Sequence, residues 1–193
     1  MSLFKPMAFL LLAAAAVPAH ADWYLDNESS RLSFVTTKNT DIAEVQRFLV
    51  LHGKVDSKGA ARLQVELESV NSGIPLRDER MRNDLFEIKT FPDALINAQI
   101  NLQPINDLAA GAQLELRLPL SVTLHGKTQT YNAELLATRL DDRRFQVVTL
   151  EPLVLHAEDF DLLPGVAALR KAAGLSQISL SVPVGAVLIF TAR

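Results

Sequence analysis

The sequence contains no cysteine, few aromatic residues and no long basic run. The absence of cysteine excludes disulfides, thiol nucleophiles and cysteine-ligated metal sites. The formal net charge is −3, and a mildly acidic chain is a poor candidate for binding the phosphate backbone of nucleic acids, which requires a cationic surface. We therefore expect no nucleic-acid partner.

Long hydrophobic runs are also scarce. An apolar run of ten residues, Ala8 to Val17, lies close to the N-terminus, and a run of that length is too short to cross a bilayer core of about 30 Å. Lys5 precedes it, and Ala19-His20-Ala21 follows with the small-x-small pattern that signal peptidase cleaves. The pattern predicts a cleaved signal peptide over residues 1–21, export to the periplasm, and no transmembrane segment after cleavage.

Period-two alternation of apolar and polar residues dominates the remaining chain, residues 22–193, which we interpret as one domain. Such alternation places one face of a strand in a dry interior and the other in water. Further apolar stretches separated by turn residues add more strand candidates. The alternating segments are 62–68, 96–102, 114–124 and 178–190, and the additional strand candidates are 23–26, 31–37, 45–55, 131–140 and 145–156.

Eight or nine strands of this length, each with one polar face, favour an antiparallel β-barrel of about eight strands, because closure removes the exposed sheet edges. A two-sheet sandwich is the alternative. Two segments have helical spacing instead. The first, residues 74–86, starts near Pro75, and the second, residues 163–173, ends before Gly174 as a helix with a glycine cap does.

Four motifs then occur in an order that resembles the YceI-like family of periplasmic polyisoprenoid-binding proteins. One departure is Asp161, which follows Phe160 where family members usually have glycine. The motifs are Trp23-Tyr24-Leu25-Asp26 followed by Ser30 to Phe34; Arg77-Asp78 with Arg82, Phe86 and Phe91-Pro92; Leu120 to Thr128; and Asp159-Phe160.

The resemblance implies an all-β, lipocalin-like barrel that holds a polyisoprenoid or other long-chain amphiphile in an apolar cavity, without catalysis and without a cofactor. The inward aliphatic rows and the phenylalanines at strand ends are then the candidate ligand contacts. These candidates are Phe34, Leu67, Leu85, Phe86, Phe91, Ile96, Ile100, Leu116, Leu118, Val122, Phe160, Ile178 and Leu180.

Charged and histidine side chains give the remaining candidates. Arg77 and Asp78 are either a polar anchor at the barrel mouth or, as a helix-start acid and its neighbour, purely structural. Three histidines, His52, His125 and His156, lack the short spacing of metal ligands, so we expect no metal site.

Two other functions fit the same barrel. The first is an enzyme acting on a small amphiphile, with His125 and Asp159 as its candidate ionisable groups. The second is a stress-related interaction protein with a solid interior, filled by residues such as Leu116, Leu118 and Ile178, because alternating strands also build ordinary dry cores. The sequence leaves a homodimer open as well.

Overall fold

A computed structural model describes residues 22–193 of the protein. The predicted signal peptide, residues 1–21, lies outside the described residues. None of the helices in the described part has the length and apolar character that crossing a bilayer requires.

Twelve antiparallel strands form a single sheet in the described chain. Their boundaries follow the alternating segments of the sequence closely. They are β1 (Trp23–Leu25), β2 (Arg31–Lys38), β3 (Ile42–Phe48), β4 (Leu51–Val55), β5 (Ala60–Glu66), β6 (Val70–Asn71), β7 (Asp93–Gln99), β8 (Gln113–Leu124), β9 (Lys127–Asp141), β10 (Arg144–Thr149), β11 (Leu153–His156) and β12 (Ser181–Ala192).

The sheet closes on itself, because β12 pairs with both β10 and β1. The closed ring runs β1-β4-β5-β7-β8-β9-β10-β12, which is eight strands. The remaining four strands extend this ring, since β2 and β11 pair with the N-terminal half of β12, β3 pairs with β2, and β6 pairs with β3. The barrel is therefore a closed antiparallel ring of eight strands, the number that the sequence predicts.

One of these interruptions divides the predicted strand 45–55 into β3 and β4. The backbone N–H groups of Leu49 and Val50 donate to the Ser69 hydroxyl at 3.1 and 3.0 Å. The side chain of Asn27 accepts from the N–H of Leu51 at 2.7 Å and donates to the carbonyl of Leu49. Two polar side chains thus replace the ladder hydrogen bonds at the bend, which satisfies the backbone groups there.

The helices are short, and two of the three lie at the predicted positions. The helix α1 (Pro75–Arg80) continues into a π-helical turn (Met81–Leu85), α2 (Gln103–Asn106) connects β7 to β8, and α3 (Leu163–Ala172) precedes the last strand. Single 3₁₀ turns cover Leu67–Ser69 and Ala157–Phe160. Gly174 has a φ of +64° directly after α3, which is the left-handed conformation predicted for its glycine cap.

A glycine on α3 lets this helix lie close to the π-helical turn. A Cβ atom added at Gly165 would lie 2.6 Å from the carbonyl oxygen of Asp84 and 2.7 Å from the Cα of Leu85. No larger residue fits without moving one backbone away from the other. The close contact holds α1, the π-helical turn and α3 together at one end of the barrel.

The last strand begins later than predicted, at Ser181 instead of residue 178. Ile178 makes only an isolated bridge to Lys38, and the carbonyl of Leu180 accepts from the N–H of Ala157. The helix α2 is absent from the sequence prediction because a segment of four residues is too short to show a helical period.

Candidate functional site: a hollow barrel open at one end

The barrel encloses a cavity of about 620 Å³, a volume within the range of small-molecule sites in proteins. Its walls are almost entirely aliphatic and aromatic. Inward side chains such as Leu118, Leu120, Val147 and Leu188 are only partly buried although they point into the barrel. Their remaining accessible surface faces the cavity, so the interior is hollow and not a packed core.

Exposed residues in the cavity wall identify its mouth. Ile74 and Leu76, at the start of α1, are 50% and 56% exposed and yet line the cavity. His156 at the end of β11 and Ala173 at the end of α3 are also both exposed and part of the wall. The mouth therefore lies between α1, the C-terminal end of α3 and the end of β11.

The opposite end is closed by packed side chains. Trp23 and Phe145 form an edge-to-face pair with ring centroids 4.7 Å apart, a favoured geometry for aromatic rings. The guanidinium of Arg139 lies 5.2 Å from the Phe145 ring and donates to the carbonyl of Asn106 at 2.8 Å. Ile105 of α2, only 8% exposed, completes this closed end.

Between the two ends, three phenylalanines form a continuous cluster on the wall. The Phe34 and Phe48 rings are stacked at 5.3 Å, and Phe48 and Phe86 are 5.9 Å apart. Phe160, which is fully buried, lines the same cavity and belongs to the same core cluster. The apolar wall therefore extends from just inside the mouth to the closed end.

A group of polar side chains lies on the wall near the mouth, at the adjacent ends of β2 and β3. The two oxygens of the Glu44 carboxylate accept from Lys38 Nζ at 2.9 Å and from Arg77 Nη1 at 2.5 Å. The neighbouring Gln46, only 2% exposed, donates from Nε2 to the Thr36 hydroxyl at 2.9 Å. We call these five residues the mouth cluster.

The charges of the mouth cluster favour ionised Glu44. The hydrogen bond from Lys38 lowers the pKa of the Glu44 carboxyl below its ordinary value, and Arg77 acts in the same direction, while partial burial opposes both. The carboxylate thus stays charged at neutral pH and holds the two cations on one side of the cavity.

Comparison with known proteins matches residues 23–188 to the YceI-like domain. The chain belongs to the YceI-like domain family. No curated protein sequence matches the chain closely enough to count as a relative, whereas several solved structures do.

One of these structures is a polyisoprenoid-binding domain from Saccharophagus degradans, implicated in plant cell wall breakdown. It is 36% identical, with a TM-score of 0.87 over 89% of this chain and 98% of that one. BcnA from Burkholderia cenocepacia is 17% identical with a TM-score of 0.66 over 86% and 98% of the two chains. The YceI protein of Campylobacter jejuni is 16% identical with a TM-score of 0.51 over 78% and 89%. The last two support the fold alone.

The YceI-like barrel brings most of the predicted contact residues to one cavity. Three of the predicted residues do not line it. Phe91 packs instead on the ring of His125 at 4.4 Å, Leu180 is 40% exposed, and Leu116 lies nearer the start of β8 than Leu118, where the part of that strand that lines the cavity begins. Those that line the cavity are Phe34, Leu67, Leu85, Phe86, Ile96, Ile100, Leu118, Val122, Phe160 and Ile178.

The predicted polar pair divides into two roles. Arg77 lines the cavity within the mouth cluster. Asp78 does not line it; its carboxylate is buried and accepts from both the backbone N–H, at 2.8 Å, and the hydroxyl of Ser72. Asp78 therefore stabilises the start of α1, and Arg77 lies on the cavity side.

The histidines lie apart from one another. His52 is inside β4 and pairs with Glu66, while His125 occupies the turn between β8 and β9. Within residues 22–193, no group of three or more histidine, aspartate or glutamate side chains has the arrangement of a metal site. His125 is enclosed by Glu87 and the carbonyl of Phe160, and neither it nor Asp159 lines the cavity.

Several residues of the site lie outside the sequence prediction, among them Glu44, Gln46 and Trp23. A usable signal was present, because Glu44, Gln46 and Phe48 occupy one face of β3 and two of the three are polar on the face that points inward. Polar residues on the inward face of a barrel strand are candidates for ligand contacts, since burying them otherwise costs free energy. Trp23 gave no such signal.

Proposed function

We propose that this protein is a periplasmic carrier or reservoir for an isoprenoid-type lipid, which it holds in the barrel without chemical conversion. The observation that carries the proposal is the continuous apolar cavity, closed at Trp23 and Phe145 and open beside Ile74 and Leu76. An enclosed aliphatic wall with few polar groups suits a hydrocarbon chain. The likeness to a polyisoprenoid-binding domain over nearly its full length supports the same ligand class.

The volume of the cavity limits the length of chain that it can enclose. If each carbon takes about the 30 Å³ that a water molecule occupies in the liquid, 620 Å³ holds on the order of 20 carbons. Burying that many methylene-sized groups gives about 16 kcal/mol gross, much of which is offset by ordering the chain and fixing it in place. We expect the remainder of a longer isoprenoid to emerge at the mouth.

The test is to purify the protein from periplasm without detergent and to record its mass under native conditions. We expect protein carrying a lipid, and an organic-solvent extract in which that lipid has an isoprenoid mass. A homogeneous ligand-free mass together with an empty extract would contradict the proposal. Sequencing of the exported protein, expected to start at Asp22, tests the export step separately.

The alternative of a barrel enzyme has little support at the cavity. Its two candidate residues, His125 and Asp159, do not line the wall, and the ionisable side chains that do are clustered at the mouth. A catalytic group has to reach the bond that changes, and the deeper wall offers no such group among the described residues. We therefore propose binding without catalysis.

A further inference from the structure

Three large apolar side chains around the mouth of the cavity are about half exposed to solvent. Ile74 and Leu76 stand at the start of α1 and are 50% and 56% exposed. Ile42 is the first residue of β3, is 46% exposed, and lies on the same face of that strand as Glu44. The ion pair between Glu44 and Arg77 joins the two elements. We call Ile42, Ile74 and Leu76 the apolar rim.

The two chain segments that meet at the mouth, residues 69–76 and 172–180, contain no charged residue. Arg80 of α1 donates to the carbonyl of Ala172 at 3.1 Å, which ties the first segment to the end of α3. The turn between β2 and β3 contacts the second segment, because the N–H of Asn39 donates to the carbonyl of Gln177 at 3.0 Å. Exposed apolar patches of this kind mark surfaces that bind a partner or a membrane.

Cations outnumber acids around the apolar rim, although the protein as a whole is acidic. The acids of this region are Asp41, Glu44, Asp78 and Glu79, of which Asp78 is buried. Lys38, Arg77 and Arg80 line the cavity near the mouth. Arg170 and Lys171 are exposed on the last turn of α3 and have no carboxylate partner within residues 22–193. The apolar rim therefore has a basic border.

We propose that the apolar rim docks the mouth of the barrel onto a bilayer that contains anionic phospholipids, with Arg170 and Lys171 against the headgroups. This inference rests on the proposed lipid-binding function. Apolar side chains that enter the interface and cations that attract anionic lipids are the combination by which proteins bind a membrane surface.

The position of the rim supports a membrane as its partner. The far end of the cavity is closed at Trp23 and Phe145, so a bound lipid passes through the mouth. Each methylene left in water disfavours release by a factor of about four. A hydrocarbon chain is therefore released only into another apolar environment, and a mouth that lies on a bilayer provides one directly.

Flotation with vesicles tests the docking surface on the unmodified protein. The vesicles consist of phosphatidylcholine, with or without phosphatidylglycerol. We expect binding to the anionic vesicles to be tighter by up to about 30-fold, because each of the two free cations contributes a factor of about five near an anionic surface. This preference should weaken as the salt concentration rises.

A first pair of variants tests the apolar rim. Ile42→Ser/Leu76→Ser should weaken binding to both kinds of vesicle by about 30-fold, because burial of the exposed half of each side chain contributes a factor of about five. The matched control is Leu140→Ser/Leu150→Ser. These leucines are 37% and 44% exposed and lie outside the cavity wall, so the control should bind vesicles as the unmodified protein does.

A second pair tests the basic border. Arg170→Gln/Lys171→Gln should lose most of the preference for phosphatidylglycerol and bind phosphatidylcholine vesicles as before. Arg143→Gln/Arg144→Gln is the matched control, because these two exposed cations lie between β9 and β10 at the closed end; it should keep the preference. None of the four residues lines the cavity, so both variants should retain the affinity for a ten-carbon prenyl alcohol in native mass spectrometry.

The unmodified protein decides the question even if a variant does not fold. Absence of binding to either kind of vesicle would overturn the docking surface, as would equal binding by the rim variant and its control. A dimer in light scattering that only the rim variant dissociates would assign the apolar rim to a second copy instead. Native mass spectrometry with a twenty-carbon prenyl alcohol tests the lipid-binding function separately. If the alcohol binds and the vesicles do not, the docking surface alone fails; if the alcohol does not bind, the proposed function fails and this inference with it.

Discussion

Filling the cavity with larger side chains distinguishes a ligand site from a core. Ala98 on β7 and Ala186 on β12 both line the cavity and are only partly buried. Replacing both with leucine adds six carbon atoms, which at about 30 Å³ each take about 180 Å³ of the 620 Å³. The capacity of the barrel then falls from about 20 carbons to about 14.

The double variant Ala98→Leu/Ala186→Leu should keep or raise the free energy of unfolding, because filling a void commonly stabilises by about 0.5–2 kcal/mol. Its affinity for a twenty-carbon prenyl alcohol should fall. About six methylene-sized groups would remain in water at about 0.8 kcal/mol each, or about 4.8 kcal/mol gross, which limits the loss to about 3,000-fold. A ten-carbon prenyl alcohol should bind as before.

Ala133 is the matched control, because it is buried in a packed part of the structure. It is 2% exposed, lies on β9 and does not line the cavity. Ala133→Leu should destabilise the protein by about 1–3 kcal/mol, as overpacking does. Thermal unfolding and native mass spectrometry with the two alcohols measure both effects. The reasoning is refuted if the double variant is destabilised as much as Ala133→Leu, or if it binds the longer alcohol undiminished.

Three further predictions concern the two ends of the barrel and the contact of α3. Trp23 is the single tryptophan of the sequence and lies at the closed end of the cavity. Its fluorescence should therefore change when a twenty-carbon alcohol binds but not when a ten-carbon alcohol binds. Equal responses to the two alcohols would contradict the proposed depth of the bound hydrocarbon. Gly165→Ala should lower the free energy of unfolding by about 1–3 kcal/mol, because the new Cβ would lie too close to the backbone of the π-helical turn. Gly185→Ala, whose Cβ would make an ordinary contact at 3.5 Å, should have little effect. Similar melting temperatures for the two variants would contradict the close contact between α3 and the π-helical turn. Lys38 and Arg77 lower the pKa of Glu44 from its ordinary 4.5, so the stabilisation by the Glu44 carboxylate is present above that pH and is lost as the pH falls through the folded value. In acid unfolding followed by circular dichroism, Glu44→Gln should flatten the loss of stability below about pH 4.5, unlike Glu115→Gln at an exposed position. An unchanged loss of stability in acid would contradict the role of the mouth cluster.

Much of the fold was predictable because alternation is a local signal. Residues 114–124 predict a strand with one apolar face, and β8 covers Gln113–Leu124. The breaks between strands were not predictable in the same way. The bend after Phe48 depends on Asn27 and Ser69, which lie about twenty residues away on either side and meet the chain only in the folded barrel. Hydrogen bonds between residues so far apart in the chain produce no periodic pattern in the sequence.

The candidate site, like the fold, was predictable where it depends on local sequence and not where it depends on strand pairing. Phe34, Ile96 and Val122 are predicted as inward residues and line the cavity, because the face of a strand is fixed by parity. Leu116 has the correct parity as well, yet it lies nearer the start of β8 than Leu118, where the part of that strand that lines the cavity begins. Parity therefore gives the face of a side chain, whereas its height along the barrel depends on the register between strands.

The barrel is hollow because of the size of the side chains that its strands bring together, which neither parity nor register determines alone. Small residues recur on the inward face, among them Ala61, Ala98 and Ala186. Two of them, Ala61 and Ala98, are direct cross-strand partners on β5 and β7. An eight-stranded barrel has an interior that side chains can just fill, so small residues paired in this way leave space that larger ones would occupy. The small residues that leave the cavity open are therefore present in the sequence, but they can be identified only after the strand pairing shows which of them are neighbours.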